Sequence, residues 1–319
     1  MIEGIPRISV MVITYKQEDV VGRTLDSLIA QRDYLYEICV SDDCSPDGTW
    51  DILLDYQRRY PDLFKLHRQE QNVGIFENTE YSWTMPTGDV INEIAGDDIT
   101  PNGWYKTVVE FILKNKIDYL NENFCIYCDY KALYPNGDSF VFRNTLVQRH
   151  NDILYLFMRT CVSLRGVCYG NGILKKLEKV SQGRSHIAET AQEVQVPLYS
   201  QKNYYIPYVG NVYYTGIGVS TKTSSKALFD ERQQIVPYAI SFLKSKGVEL
   251  DPKFTLYYKA NLAEKEYHNK RTLKNLLKTV YYKFRSYDHR IGLKSIGLKQ
   301  AVFAFRRRLP HSKPISVNV

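Results

Sequence analysis

Three short polar clusters hold the residue types that could do chemistry: Thr14-Tyr15, Asp42-Asp43 and Gly96-Asp97-Asp98. Asp42 and Asp43 offer acceptors for the NH of a base and for ribose hydroxyls, and Tyr15 offers a ring on which a base could stack. Asp97 and Asp98 are hard oxygen donors of the kind Mg²⁺ or Mn²⁺ prefers. Such ions keep waters and substrate oxygens in their shell, so one or two aspartates suffice when phosphates complete it. A departing diphosphate, in turn, needs a divalent cation or basic groups to take up its charge. The bland alternative for any one cluster is a solvated turn, where Asp is common for local reasons.

The elements that would position the clusters argue for more than chance. Arg7 to Thr14 is a β-branched apolar run typical of a strand buried in a parallel sheet. Asp19 to Ala30 has helical apolar spacing, Glu37 to Ser41 reads as a strand, Trp50 to Tyr60 as a helix closed by Pro61, and Phe64 to Arg68 as a third strand. A helix over Glu77 to Met85 and a strand over Asp89 to Ala95 follow. This β-α-β-α-β-α-β order predicts a doubly wound, mostly parallel α/β sheet, whose ligands bind at the carboxyl ends of the strands. All three clusters fall at those ends. Beyond a helix from Gly103 to Lys116 the pattern is mixed. A hairpin (Phe124 to Tyr134, Phe140 to Val147) turns at Pro135-Asn136-Gly137-Asp138, a helix begins at Asp152, Tyr204 to Tyr214 is strand-like, and Lys226 to Lys246 is helical.

The rest of the composition narrows the class. The 319 residues are 44% hydrophobic and 24% charged, ordinary for a globular chain. No apolar run is long enough for a membrane span, and the first residues lack the features of a signal peptide, so a cytoplasmic location is expected. Cys125 and Cys128 would point to opposite faces of a strand and make a poor chelate, so the six cysteines read as reduced thiols. Charge is uneven: residues 253–319 carry 16 Lys and Arg against three acids, a basic region with interleaved aromatic and aliphatic residues. That composition suits an anionic membrane surface, and no nucleic-acid-binding motif accompanies it.

At this point the motifs resemble a known family. Ile8 to Tyr15 resembles the first strand of family 2 glycosyltransferases, which usually ends Pro-Thr-Tyr-Asn; Ile13 and Lys16 replace the Pro and Asn. Val40 to Thr49 resembles their Val-Asp-Asp-Gly-Ser-x-Asp-x-Thr segment, Asn72-Val73-Gly74 with Asn78 their Asn-x-Gly-x-x-x-x-Asn region, and Gly88 to Asp98 their Gly-x-x-Ile strand and Asp-x-Asp motif. The first aspartate of that last motif falls on Ala95 or Gly96, so one carboxylate is missing. The resemblance covers roughly residues 6 to 115. It implies a GT-A fold, a nucleotide-diphosphate sugar donor, a divalent metal held by Asp97 and Asp98, and transfer with inversion to a glycan or lipid-linked acceptor. It further implies a nucleotide site from Thr14, Tyr15, Asp42, Asp43, Asn72, Gly74, Asn78 and Asp97.

An inverting displacement needs a single general base. The segment Ser185 to Glu193 resembles the family's base-bearing helix, with Glu189 the first candidate and Glu193 one turn later the second. Gly166 to Gly172 resembles a stretch flanking the donor sugar, though a plain turn fits as well. Tyr213 to Ser220 occupies the place of a loop that commonly brings His or Arg to the phosphates; it has neither, and Lys222 is the substitute at hand. The expected organisation is a catalytic domain over 1–225, split at 115 into nucleotide-binding and acceptor halves, and a helical basic region over 226–319, peripheral at the inner face of the cell membrane. Competing readings lack their signatures. A sugar nucleotidyltransferase would open with a Gly-rich Arg/Lys loop, and an oxidoreductase with Gly-x-Gly-x-x-Gly. A nucleotide-sugar-binding protein without turnover is the non-enzyme alternative, suggested by the missing carboxylate.

Overall fold

A strand with no polar face has to sit where both of its faces are covered. Ile8–Thr14 (β1) does so at the middle of an eight-stranded sheet. The computed structural model describes residues 4–149, 151–180, 192–216, 236–289 and 291. Strands Glu37–Asp42 (β2), Phe64–Arg68 (β3) and Val90–Ala95 (β4) run parallel in the order β3-β2-β1-β4. They are joined through helices Val21–Ile29 (α1), Thr49–Arg59 (α2) and Ile75–Ser82 (α3), and Trp104–Lys114 (α4) follows. The doubly wound first half is therefore as expected.

The second half is mixed. Phe124–Leu133 (β5) pairs with Ser139–Phe142 (β6) and Cys168–Gly170 (β7) along one edge and with Lys202–Tyr214 (β8) along the other. Within the Gly166 to Gly172 stretch, where a plain turn is the alternative reading, the structure has a three-residue strand, β7, antiparallel to both β4 and β5. A Cβ at Gly170 would lie 2.9 Å from the Glu122 carbonyl, so only glycine admits this approach. The hairpin's second strand stops at Phe142 rather than Val147. Asn144 is buried there and donates to the carbonyls of Cys128 (2.6 Å) and Ser163 (2.9 Å), which ends the ladder. Strand β8 slips its register opposite Tyr127 and Asp129, where Pro207 cannot donate to the ladder.

Short helices Ile153–Met158 (α5), Asn171–Leu174 (α6) and Gln195–Tyr199 (α7) cover the second half. Residues 236–245 are helical, and Pro252–Asn269 (α8) and Leu273–Arg285 (α9) form an antiparallel pair in contact. Ala239, Leu243, Phe254 and Tyr257 share one core with Met11, Ile91 and Tyr127. On the other face Val10, Val12, Leu25, Ile38 and Trp104 form the second core. Cys125 and Cys128 fall in these two different cores, so the strand does send them to opposite faces. Among the described residues all six thiols are free, and burial pushes the Cys125 thiol up to about 12.

Candidate active site

The loops after β1 and β2 are fixed to each other before any ligand is considered. Asp42 is wholly buried; it accepts from the Thr14 hydroxyl (2.8 Å), the Ser45 amide (2.9 Å) and the Ser45 hydroxyl (2.6 Å). Asp47 accepts from the Thr49 hydroxyl (2.6 Å), and that hydroxyl accepts from the Gln17 amide (2.8 Å). Lys16 and Cys44 both take left-handed backbone, at φ 54° and 55°. They stand where the family pattern has Asn and Gly, the residues that adopt this region at least cost. Tyr15, half-buried, lies between these loops with the Lys16 ammonium 5.2 Å from its ring centre.

Asp43 organises the third loop. Its carboxylate accepts from the Asn72 side chain (2.8 Å) and from the amides of Val73 (2.7 Å) and Gly74 (3.0 Å). Gly74 turns at φ 94° to start α3. Asn78, also buried, accepts from the Ser41 hydroxyl (2.7 Å) and donates to the Ser41 carbonyl (3.0 Å), tying α3 to β2. The structure therefore brings Thr14, Tyr15, Asp42, Asp43, Asn72, Gly74 and Asn78 to one end of the sheet. Asp42 and Asn78 direct their hydrogen bonds inward, to the loops themselves.

The Asp97-Asp98 turn closes the other side. Helix α1 holds its backbone: Thr24 donates to the carbonyls of Gly96 (2.9 Å) and Asp98 (2.7 Å), and Arg23 to that of Asp97 (3.0 Å). A side chain at Gly96 would press on the Gln17 side-chain oxygen and lie 2.7 Å from the Thr14 methyl, so the turn is built around glycine. Asp98 faces a cleft and accepts from Arg165 (3.2 Å) and Asn211 (3.2 Å). Asn211 arrives because β8 bridges Val212 to Ile99. The loop around Tyr213 brings no cation of its own among the described residues, yet it receives two: Arg165 stacks 4.1 Å over Tyr213 and Arg23 3.8 Å over Tyr214. Lys222 lies outside the described residues.

The cleft itself, about 200 Å³, opens between α3, the segment before β7 and the start of α7. Ala95 and Glu93, on one face of β4, line it, and so does Glu193. Several of its buried polar groups have no hydrogen-bond partner among the described residues: the hydroxyls of Thr79 and Tyr169, the amide oxygens of Gln192 and Asn211, and the Trp83 indole NH. Burial, and then the charge of Glu93, push the Tyr169 phenol well above its ordinary value. Glu189 lies outside the described residues. Gly166, Val167 and Tyr169 of the stretch expected to flank a sugar do line the cleft.

Sequence reading missed Arg165, Asn211, Trp83 and Glu93; the first two reach the site through chain pairings that no local pattern encodes. Glu93 left a signal: an acid inside a mostly apolar, largely buried parallel strand. No three His, Cys, Asp or Glu side chains group around one point among the described residues. Of the two aspartates expected to hold a metal, Asp98 lines the cleft, and such an ion could draw the rest of its shell from phosphate and water.

Comparison with known proteins agrees with this architecture. The fold is that of the GT-A glycosyltransferases. The chain superposes on S. aureus TarS 1-349 in complex with UDP-GlcNAc with a TM-score of 0.58 at 17% identity, over 94% of this chain and 92% of that one. It superposes on the mannosyltransferase PcManGT of Pyrobaculum calidifontis, in complex with GDP-Man and Mn²⁺, with a TM-score of 0.50 at 17% identity, over 95% and 82%. Residues 9–162 match Glycosyl transferase family 2. An uncharacterized protein of Mycobacterium tuberculosis is 33% identical over 91 residues, 28% of this chain and 26% of that protein. The putative glycosyltransferase EpsE of Bacillus subtilis is 28% identical over 111 residues, 35% and 40%. The dTDP-rhamnosyl transferase RfbG of Shigella flexneri is 31% identical over 130 residues, 39% and 42%. The matched stretch thus spans between a quarter and under half of these curated relatives.

Proposed function

We propose that this chain transfers a hexose-type sugar from a nucleotide-diphosphate sugar to a hydroxyl of a glycan or lipid-linked acceptor, with inversion. The observation that carries the reading is the cleft beside Asp98. Its buried hydroxyl, amide and indole groups lack partners among the described residues, as a site made to hydrogen-bond a hydroxyl-rich ligand would. The relatives that bind UDP-GlcNAc or GDP-Man, and the one that transfers rhamnose from dTDP, support the donor class.

In this reading the nucleotide lies across the ends of β1 and β2, with Tyr15 against the base and the Asp43-Asn72-Gly74 loop against base and ribose. Asp42 and Asn78 keep those loops in place. Asp98, with Asp97 adjacent, would hold Mn²⁺ or Mg²⁺, which neutralises diphosphate charge when bound. Arg165 adds a fixed cation on the same side. Glu193 is the base: it takes the acceptor hydroxyl proton as that oxygen bonds to the anomeric carbon, and the bond to diphosphate breaks with the electron pair leaving on the phosphate oxygen. Glu193 lines the cleft that Asp98 faces, which makes it the candidate the described residues support. Glu93 does not replace the carboxylate missing at Ala95. Residues two apart on a strand are about 6.7 Å apart, more than one extra methylene spans.

The test is release of nucleoside diphosphate from UDP-, GDP- and dTDP-sugars with Mn²⁺. Glu193→Gln should lower the rate by about 10²–10⁴-fold while donor still raises the melting temperature. An unchanged rate removes Glu193 as base. Donor binding without release by the unaltered chain, even with acceptor candidates, supports the non-catalytic alternative.

A further inference from the structure

We propose that α9 is a membrane-contacting helix that lays Leu273, Leu276, Leu277, Val280, Tyr281 and Phe284 against an anionic lipid surface. These residues recur at the three- and four-residue spacing of one helical stripe, and that stripe points outward. Leu273 is 72% exposed and Phe284 80%, values that put whole side chains in water rather than their edges. The helix is inverted relative to an ordinary surface helix. Its polar side packs on α8, where Lys278 and Lys283 pair with Glu266 (2.7 Å) and Glu264 (2.6 Å), and Thr279 is its buried residue. Most of the exposed large hydrophobic side chains among the described residues belong to this one segment. Soluble chains rarely leave so contiguous a patch uncovered.

Charge identifies the occupant. Residues 270–285 contain six Lys and Arg and no Asp or Glu. Lys278 and Lys283 are spent on α8, and Lys270, Arg271, Lys274 and Arg285 are exposed beside the apolar stripe. Apolar residues rimmed by cations match the boundary of an anionic bilayer, where acyl chains accept the first and headgroups the second. No helix among the described residues is long and apolar enough to cross a membrane, so the contact is with one leaflet. This inference stands apart from the sugar-transfer reading and is tested without an activity assay.

The test is co-sedimentation of the full chain with vesicles of phosphatidylcholine plus phosphatidylglycerol, and with phosphatidylcholine alone. The unaltered chain should sediment with the anionic vesicles and much less with the neutral ones. Leu277→Asp with Phe284→Asp should lower the bound fraction about tenfold, with melting temperature unchanged because both sites face solvent. Should that pair fail to fold, Leu277→Ser with Phe284→Ser serves and should also weaken binding. No sedimentation of the unaltered chain, or equal sedimentation of the folded variant, overturns the proposal. So does a dimer in lipid-free solution that the variant turns into monomer, which assigns the stripe to a second copy.

Discussion

The two ends of the same sheet treat buried polar groups in opposite ways. At the amino ends of β1, β2 and β4, charges are matched inside the protein. Asp89 accepts from the Arg7 amide (3.0 Å) and guanidinium (2.8 Å), while Glu37 accepts from Ser9 (2.7 Å), the Thr87 amide (2.5 Å) and Lys65. At the carboxyl ends, the cleft keeps buried hydroxyls and amides without partners among the described residues. Each such group costs about 1–3 kcal/mol when nothing satisfies it. The groups left unsatisfied in that cleft are the ones the proposed ligand would meet.

The largest separation of the two ends should come from Asp98→Asn. It should reduce turnover about 10²–10³-fold, as loss of a metal or diphosphate contact does, with the melting temperature nearly unchanged. Equal loss of both would place Asp98 with the structural groups. The mirror experiment is Asp89→Asn, which should cost about 1–3 kcal/mol in denaturant unfolding and leave donor affinity as it was. A change in affinity without a change in stability would break the contrast.

Acid should remove the stability that the amino end supplies. Burial raises the Asp89 and Glu37 carboxyls, but the hydrogen bonds and charge of Arg7, and of Lys65, Thr87 and Ser9, outweigh it and hold both below the ordinary range. Their contribution to stability is therefore fully present above the unfolded carboxyl range near about 4, and is lost as pH falls through the lower folded values. Glu37→Gln should flatten that acid limb of the stability curve, and an unaltered limb would show that other groups govern it. The smallest effect is at the loop after β2. Cys44→Gly relieves a left-handed backbone at φ 55° and should gain about 1 kcal/mol without altering turnover.

The sequence reads well where function and local pattern coincide. The parallel half was legible because β1, β2 and β4 are mostly apolar runs that each end on a polar cluster, and Asp43 with Asn72 and Gly74 did meet. The second half was less legible for a physical reason: β7 is three residues long, and its partners β4 and β5 are supplied by chain far from it. Arg165 reaches Asp98 across 67 positions, and only the fold puts it over Tyr213. The basic region of α9 was legible as suited to an anionic surface, but which of its sides faces outward depends on its packing against α8, which no local pattern gives.

The most direct measurement is a thermal-shift and calorimetric titration of the full chain with UDP-, GDP- and dTDP-sugars, with and without Mn²⁺. The account predicts saturable binding of one nucleotide class, a raised melting temperature, and weaker binding when Asp98→Asn replaces the cleft carboxylate. Binding of none of them would contradict the assignment of the carboxyl end of the sheet as a nucleotide-sugar site.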